Sequence, residues 1–231
     1  MNRLHLATVF AWSFTILALA ARGNATDIAE MRLKAEKGDA NSQVRLGDAY
    51  DSGDGLARDP VEAAKWYCKA AEQGIAEAEY DLGSKYDSGD GVAKDSSEAL
   101  KWYRKAADQG HSVAQYNLGV MYYRGFGVRQ DLIEAVRWYR KAAEQGNRDA
   151  QFGLAAFYYA GAGVAKDEIE ALAWFDLSAD AGADSAIKDR DILARTLGPE
   201  KSLIAWQRSR EILKGIRKQI LNDQPHASAA N

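Results

Sequence analysis

The sequence predicts an all-α solenoid of antiparallel helix pairs. Three observations predict it. Prolines number only three in 231 residues, so long helices are permitted almost everywhere. Glycines at 38, 74, 110, 146 and 182 mark a fixed spacing of 36 residues. The same large residues return in every block: Leu46, Leu82, Leu118 and Leu154; Tyr50, Tyr86, Tyr122 and Tyr158; Trp66, Trp102, Trp138 and Trp174. A period of this length is the mark of a repeat array whose units stack.

The elements follow in chain order. Residues 1–25 read as a secretory signal peptide: Arg3 and His5 open it, Leu6 to Ala21 is predominantly apolar, and small residues follow. Cleavage is expected after Ala25, with an uncleaved anchor as the rival reading. The apolar run is short against the roughly 20 residues that span a bilayer. Residues 26–37 form an N-terminal helix without a partner. Four repeats then occupy 38–73, 74–109, 110–145 and 146–181. A half repeat and a capping helix fill 182–221, and 222–231 is a polar tail.

Within block one the first helix is expected over about Ala40 to Ser52. Ser42, Leu46 and Tyr50 stand at i, i+4 and i+8, on one helical face. Gly53 and Gly55 end it, as do Gly89/Gly91, Gly125/Gly127 and Gly161/Gly163 in the later blocks, because two nearby glycines allow a sharp turn. The second helix begins at Asp59, a good N-cap, with Pro60 in the first helical position. Ala63, Trp66, Tyr67, Ala70 and Ala71 give it an apolar stripe. In the last segment, Leu203, Trp206 and Leu213 are expected to cover the end of the array. A membrane-surface helix is the rival, supported by Lys214, Arg217 and Lys218.

Composition narrows the function. The formal net charge is −3, with no continuous basic stripe, which disfavours nucleic acid. Cys68 is the single cysteine and the histidines are only His5, His111 and His226, so neither an internal disulfide nor a Cys-based zinc site is expected. Ser185 and Lys188 match a Ser-x-x-Lys pattern, but the companion segments of an acyl enzyme are missing. Asp51-Ser-Gly-Asp54-Gly and Asp87-Ser-Gly-Asp90-Gly read as turns rather than calcium loops, which need more carboxylates. The four tryptophans read as core rather than a sugar-binding series. No catalytic residue, metal or cofactor is expected.

The block Ala114-Gln115-Tyr116-Asn117-Leu118-Gly119, with Tyr122, Gly125-Phe126-Gly127-Val128, Asp131, Ala135, Trp138-Tyr139 and Lys141-Ala142-Ala143-Glu144-Gln145-Gly146, resembles the Sel-one-like repeat, a relative of the tetratricopeptide repeat. The resemblance covers residues 38–181 and departs from the pattern in block four, at Ala155, Phe175, Leu177 and Ser178. It implies a right-handed superhelix and a non-enzymatic scaffold, monomeric and bound to a protein partner. For exported bacterial members it implies a role in envelope signalling, secretion or host contact, in a periplasm or outside the cell. Some cysteine-rich relatives bind or hydrolyse β-lactams, so a β-lactam-binding or β-lactam-hydrolysing enzyme is the alternative that the resemblance implies. They carry paired cysteines in each repeat and this chain does not.

Residues that differ between blocks on an exposed face are free to serve recognition. Asp51 and Asp87 give way to Tyr123 and Tyr159, Ala49 and Lys85 to Met121 and Phe157, and Asp54 and Asp90 to Phe126. Residues 38–73 hold four basic against seven acidic residues, 74–109 five against eight, and 110–145 five against three. The expected contact patch is therefore Met121, Tyr123, Arg124, Phe126, Phe157 and Tyr159. The acidic N-terminal half is expected to steer the partner or to repel wrong ones.

Overall fold

The computed structural model describes residues 27–223; the signal-peptide reading and the end of the polar tail lie outside them. No strand occurs among the described residues, and the fold is an all-α repeat solenoid. Helix α1 spans 27–36. Eight helices follow in chain order: α2 (Ala40–Ser52), α3 (Pro60–Glu72), α4 (Ala76–Ser88), α5 (Ser96–Asp108), α6 (Ser112–Arg124), α7 (Leu132–Glu144), α8 (Arg148–Ala160) and α9 (Glu168–Asp180); α2 packs with α3, α6 with α7 and α8 with α9, and four pairs recur along the sequence. The last element, α10, runs Asp184–Asp223 and is broken at Gly198, whose backbone is non-helical. Pro199 opens its second arm, where a missing N–H costs no helical bond. The described residues fall into two compact units, one ending at Asp95 and one beginning at Ser96.

Recurring fasteners explain why every helix of the four pairs has 13 residues. Each first helix ends on a glycine in the left-handed region, from Gly53 (φ 80°) to Gly161 (φ 67°). Its N–H returns to the carbonyl four residues back, satisfying an orphan acceptor. Asp59, Asp131 and Asp167 start α3, α7 and α9 by accepting two backbone N–H groups each. The second glycine of the turn has a different reason. A Cβ on Gly127 would lie 2.2 Å from the Ser96 carbonyl oxygen, and one on Gly163 would lie 2.4 Å from that of Leu132. The loop of one repeat rests on the first residue of the previous repeat's second helix, and no side chain fits between them.

Amides and phenols then tie α1 to α2, α5 to α6 and α7 to α8. Gln43 donates to the Ala35 carbonyl (3.0 Å), Gln115 to Ala107 (3.0 Å) and Gln151 to Ala143 (3.2 Å). Arg32 donates to the Tyr50 hydroxyl (2.7 Å), Arg140 to Tyr158 (2.6 Å), and Arg104 to Tyr122. Cys68 occupies the corresponding place in the first repeat and is partly buried. Trp66, Trp102, Trp138 and Trp174 are buried, and Lys69, Lys105 and Lys141 lie over the first three rings at 3.7–3.9 Å. Where Leu177 replaces the lysine, Trp174 instead donates to Glu170 (3.1 Å).

The capping arm packs on α9, with Ile216 buried as its apolar spacing suggests, but not through Leu203 and Trp206. Leu203 and Trp206 are exposed, and Leu213 is only partly buried. Ala205, Ser209 and Ile216 are the buried residues of this arm. Ser209 donates to Asp176 (2.8 Å), and Arg208 grips Glu170 (2.8 Å). Small side chains let the arm lie close to α9, which turns its bulky face outward.

Candidate functional site

The expected contact patch is corrected first at two of its six residues. Met121 and Phe157 are buried, and so are Ala49 and Lys85 in the same register. The spacing accounts for it: this position lies three residues after the buried leucine, on the stripe that faces the core. Phe157 packs against Tyr139 (ring centroids 5.3 Å apart) and receives Tyr123 edge-on at 5.5 Å. These two residues form the floor of the patch and not its surface.

The other four lie outside. Tyr123, Phe126 and Tyr159 are 45%, 47% and 51% exposed, and Arg124 is exposed beside them. The Arg124 guanidinium lies 5.9 Å from the Phe126 ring, and the Lys166 ammonium 5.7 Å from that of Tyr159. Gln130 holds the end of α6 by donating to the Tyr123 carbonyl at 2.6 Å. Next to Tyr159 a cavity of about 220 Å³ is lined mainly by Ala156, Phe175, Ile192 and Leu193, with Asp189 among its polar groups. That volume admits one large side chain. The sequence reading missed Ile192, which is exposed and adjoins Tyr159 across this slot. Its signal was available as an apolar residue on the first-type helix of the half repeat.

The same register in the N-terminal unit carries carboxylates. Tyr67 donates to Asp48 (2.9 Å), and Asp81 lies near this pair with Glu77 and Asp51. Burial pushes the Asp81 carboxyl up to about 7, reinforced by Glu77, Asp48 and Asp51 and opposed by Lys85. Burial also raises Asp48, although the Tyr67 hydrogen bond works against it. Lys85 is buried between Asp51 and Asp90, reaching the latter at 2.7 Å. Arg58 shares Asp90, also at 2.7 Å. The Lys85 hydrogen bond, and then that from Arg58, hold Asp90 below the usual carboxylate range. Both acidic turns thus place a carboxylate on cationic side chains. Among the described residues no cluster of three or more His, Cys, Asp or Glu has metal-binding geometry.

The remaining candidates have structural settings. His111 is the N-cap of α6, its Nδ1 accepting from the Ala114 N–H at 3.1 Å. Ser185 and Lys188 are both exposed in the first turn and a half of α10.

The described geometry has counterparts among known proteins. The Sel1 repeat family matches residues 40–75, 76–111, 112–147 and 148–182. A solved Sel1 repeat protein from Oxalobacter formigenes is 35% identical, with a TM-score of 0.68, over 74% of this chain and 50% of that one. The protective antigen c5321 of uropathogenic Escherichia coli, which displays an SLR fold, is 34% identical, with a TM-score of 0.52, over 85% of this chain and 49% of that one. The chain therefore spans about half the length of each. No curated protein matches it. With four matched repeats covering more than half of its length, the chain belongs to the Sel1 repeat family.

Proposed function

We propose that this chain is an exported scaffold that holds a protein partner on the outward face of α6 and α8. Sel1 repeats typically mediate protein–protein interaction. The observation that carries the reading is the aromatic row itself. Tyr123, Phe126 and Tyr159 stand exposed on and after adjacent first helices, above a floor of Met121 and Phe157, beside a slot for one side chain. Exposed aromatics over a rigid floor are the composition of interface centres, since a flat ring buries much area with few torsions to fix. The partner's complement is an apolar anchor side chain flanked by acidic residues that meet Arg124 and Lys166. The basic balance of residues 110–145 agrees with this.

Export rests on the composition of residues 1–25. Fractionation of the producing cell tests it: a soluble chain beginning near Thr26 is expected outside the cytoplasm, and full-length chain in membranes would favour the anchor. The binding face is tested by affinity capture. The double variant Tyr123→Ala/Tyr159→Ala should lose most of the partner while still unfolding cooperatively, within a few degrees of the parent. Capture unchanged with the fold intact would place the partner elsewhere.

A further inference from the structure

The second arm of α10 carries a surface that the scaffold reading leaves unused. Its inner face is small and packed on α9. Its outer face holds Leu203 and Trp206, 56% and 51% exposed, together with Leu221, also exposed. Arg210, Lys214, Arg217 and Lys218 share that face: counted from Leu203 these residues fall at i+3, i+7, i+11, i+14, i+15 and i+18, within about a third of the helix circumference. The Arg210 guanidinium lies 5.4 Å from the Trp206 ring. Residues 199–223 hold six basic and three acidic residues, and of the acidic ones Glu200 and Glu211 stand at one margin of the face.

We propose that this face lays α10 on an anionic lipid surface. The occupant must take up apolar and cationic side chains together. Acyl chains receive Leu203, Trp206 and Leu221, and phosphate headgroups receive Lys214, Arg217 and Lys218, while Arg210 stays with Asp180 at 3.5 Å. An indole half in and half out of water suits the headgroup level. A second copy of the chain is a poor occupant, because two-fold pairing sets the same cations against one another. Nucleic acid would satisfy the cations and leave the leucines in water. The binding is peripheral: among the described residues no helix is long and apolar enough to cross a membrane.

Vesicle flotation of the full chain tests this, with phosphatidylcholine alone and phosphatidylcholine mixed with phosphatidylglycerol. Residues 1–25 are common to all variants, so differences between variants report α10. The parent should float with the anionic vesicles in preference to the neutral ones. Lys214→Glu/Arg217→Glu/Lys218→Glu should bind the anionic vesicles about tenfold more weakly or worse and lose that preference. Leu203→Ala/Trp206→Ala should weaken binding to a similar degree. Melting curves of both variants should follow the parent, since the altered side chains are exposed. Anionic vesicles held equally well by the charge-reversed variant would overturn the proposal. So would a concentration-dependent dimer, seen by light scattering, that disappears in Leu203→Ala/Trp206→Ala while flotation persists.

Discussion

Tyr67 and Tyr139 occupy one register in the two compact units, and their surroundings share almost nothing. Tyr67 passes over Gly47, where a Cβ would come within 2.6 Å of its ring, and donates to Asp48, with Asp81 and Asp51 nearby. Tyr139 is pressed between Gly119 and Gly153 and meets the rings of Tyr116 and Phe157. Burial raises both phenols, helped by carboxylates at Tyr67 and by neighbouring phenols at Tyr139. One backbone thus supports an acidic outward face in the first unit and an aromatic one in the second. The fasteners that build the fold are separate from the positions that give each face its chemistry.

The largest expected effect should fail to distinguish the units. Trp66→Ala and Trp138→Ala should each cost about 3–5 kcal/mol in denaturant unfolding, because each removes a buried ring of the shared frame. A cost under about 1 kcal/mol at only one of them would break the claim of a common frame.

Next comes a transplant. Gly153→Asp puts at Tyr139 the residue type that Asp81 presents near Tyr67. Its Cβ would fall 2.6 Å from the Tyr139 ring, which is held by Tyr116 and Phe157. A loss of about 1–3 kcal/mol is expected from overpacking, before any cost of burying the carboxylate. An unchanged midpoint would show that the aromatic stack is loose.

Asp81→Asn sharpens the acidic side. The folded-state carboxyl sits at about 7, above its value of about 4 in an unfolded chain. The folded protein therefore binds this proton more tightly, and stability falls as pH rises from about 4 to about 7. The variant should flatten that slope and gain about 1–2 kcal/mol at pH 8, with little change at pH 4. Equal slopes in the two proteins would relocate the strain to other carboxylates.

The smallest effect concerns the surface. Tyr123→Ala removes one edge-on contact with Phe157 and a half-exposed ring, so about 0.5–1 kcal/mol is expected from stability. A loss above about 2 kcal/mol would move Tyr123 from the recognition face into the core.

The helices and their ends were legible because their causes are local and recur four times. Asp59 and Pro60, Gly53 and Gly55, and the Leu46–Tyr50 face each act within a few residues. The candidate site was legible in part. The exposure of Tyr123, Arg124, Phe126 and Tyr159 follows from helical phase, because they lie off the stripe of Leu118 and Leu154. Met121 and Phe157 were misplaced because residue type was weighed before helical phase, although three residues after Leu118 and Leu154 already marks the buried stripe. Lys85 shows the limit of such reading. A lysine in a core slot looks exposed until the carboxylates of Asp51 and Asp90 are brought to it, 34 and 5 residues away. At the cap the error ran the other way. Bulky Leu203 and Trp206 looked like the covering residues, but close approach to α9 selects Ala205 and Ser209.

The Gln, Arg and Tyr fasteners have a consequence for synthesis. Gln43 reaches back 8 residues, Arg140 forward 18, and Arg208 back 38 to Glu170. A chain leaving the ribosome has both partners of each such bond in hand soon after the second emerges. Helix pairs can therefore close in order of translation, each on a neighbour already formed, without waiting for the C-terminus. The acidic unit would be in place before the aromatic one is made, so Tyr123, Phe126 and Tyr159 leave the ribosome after the first unit has folded.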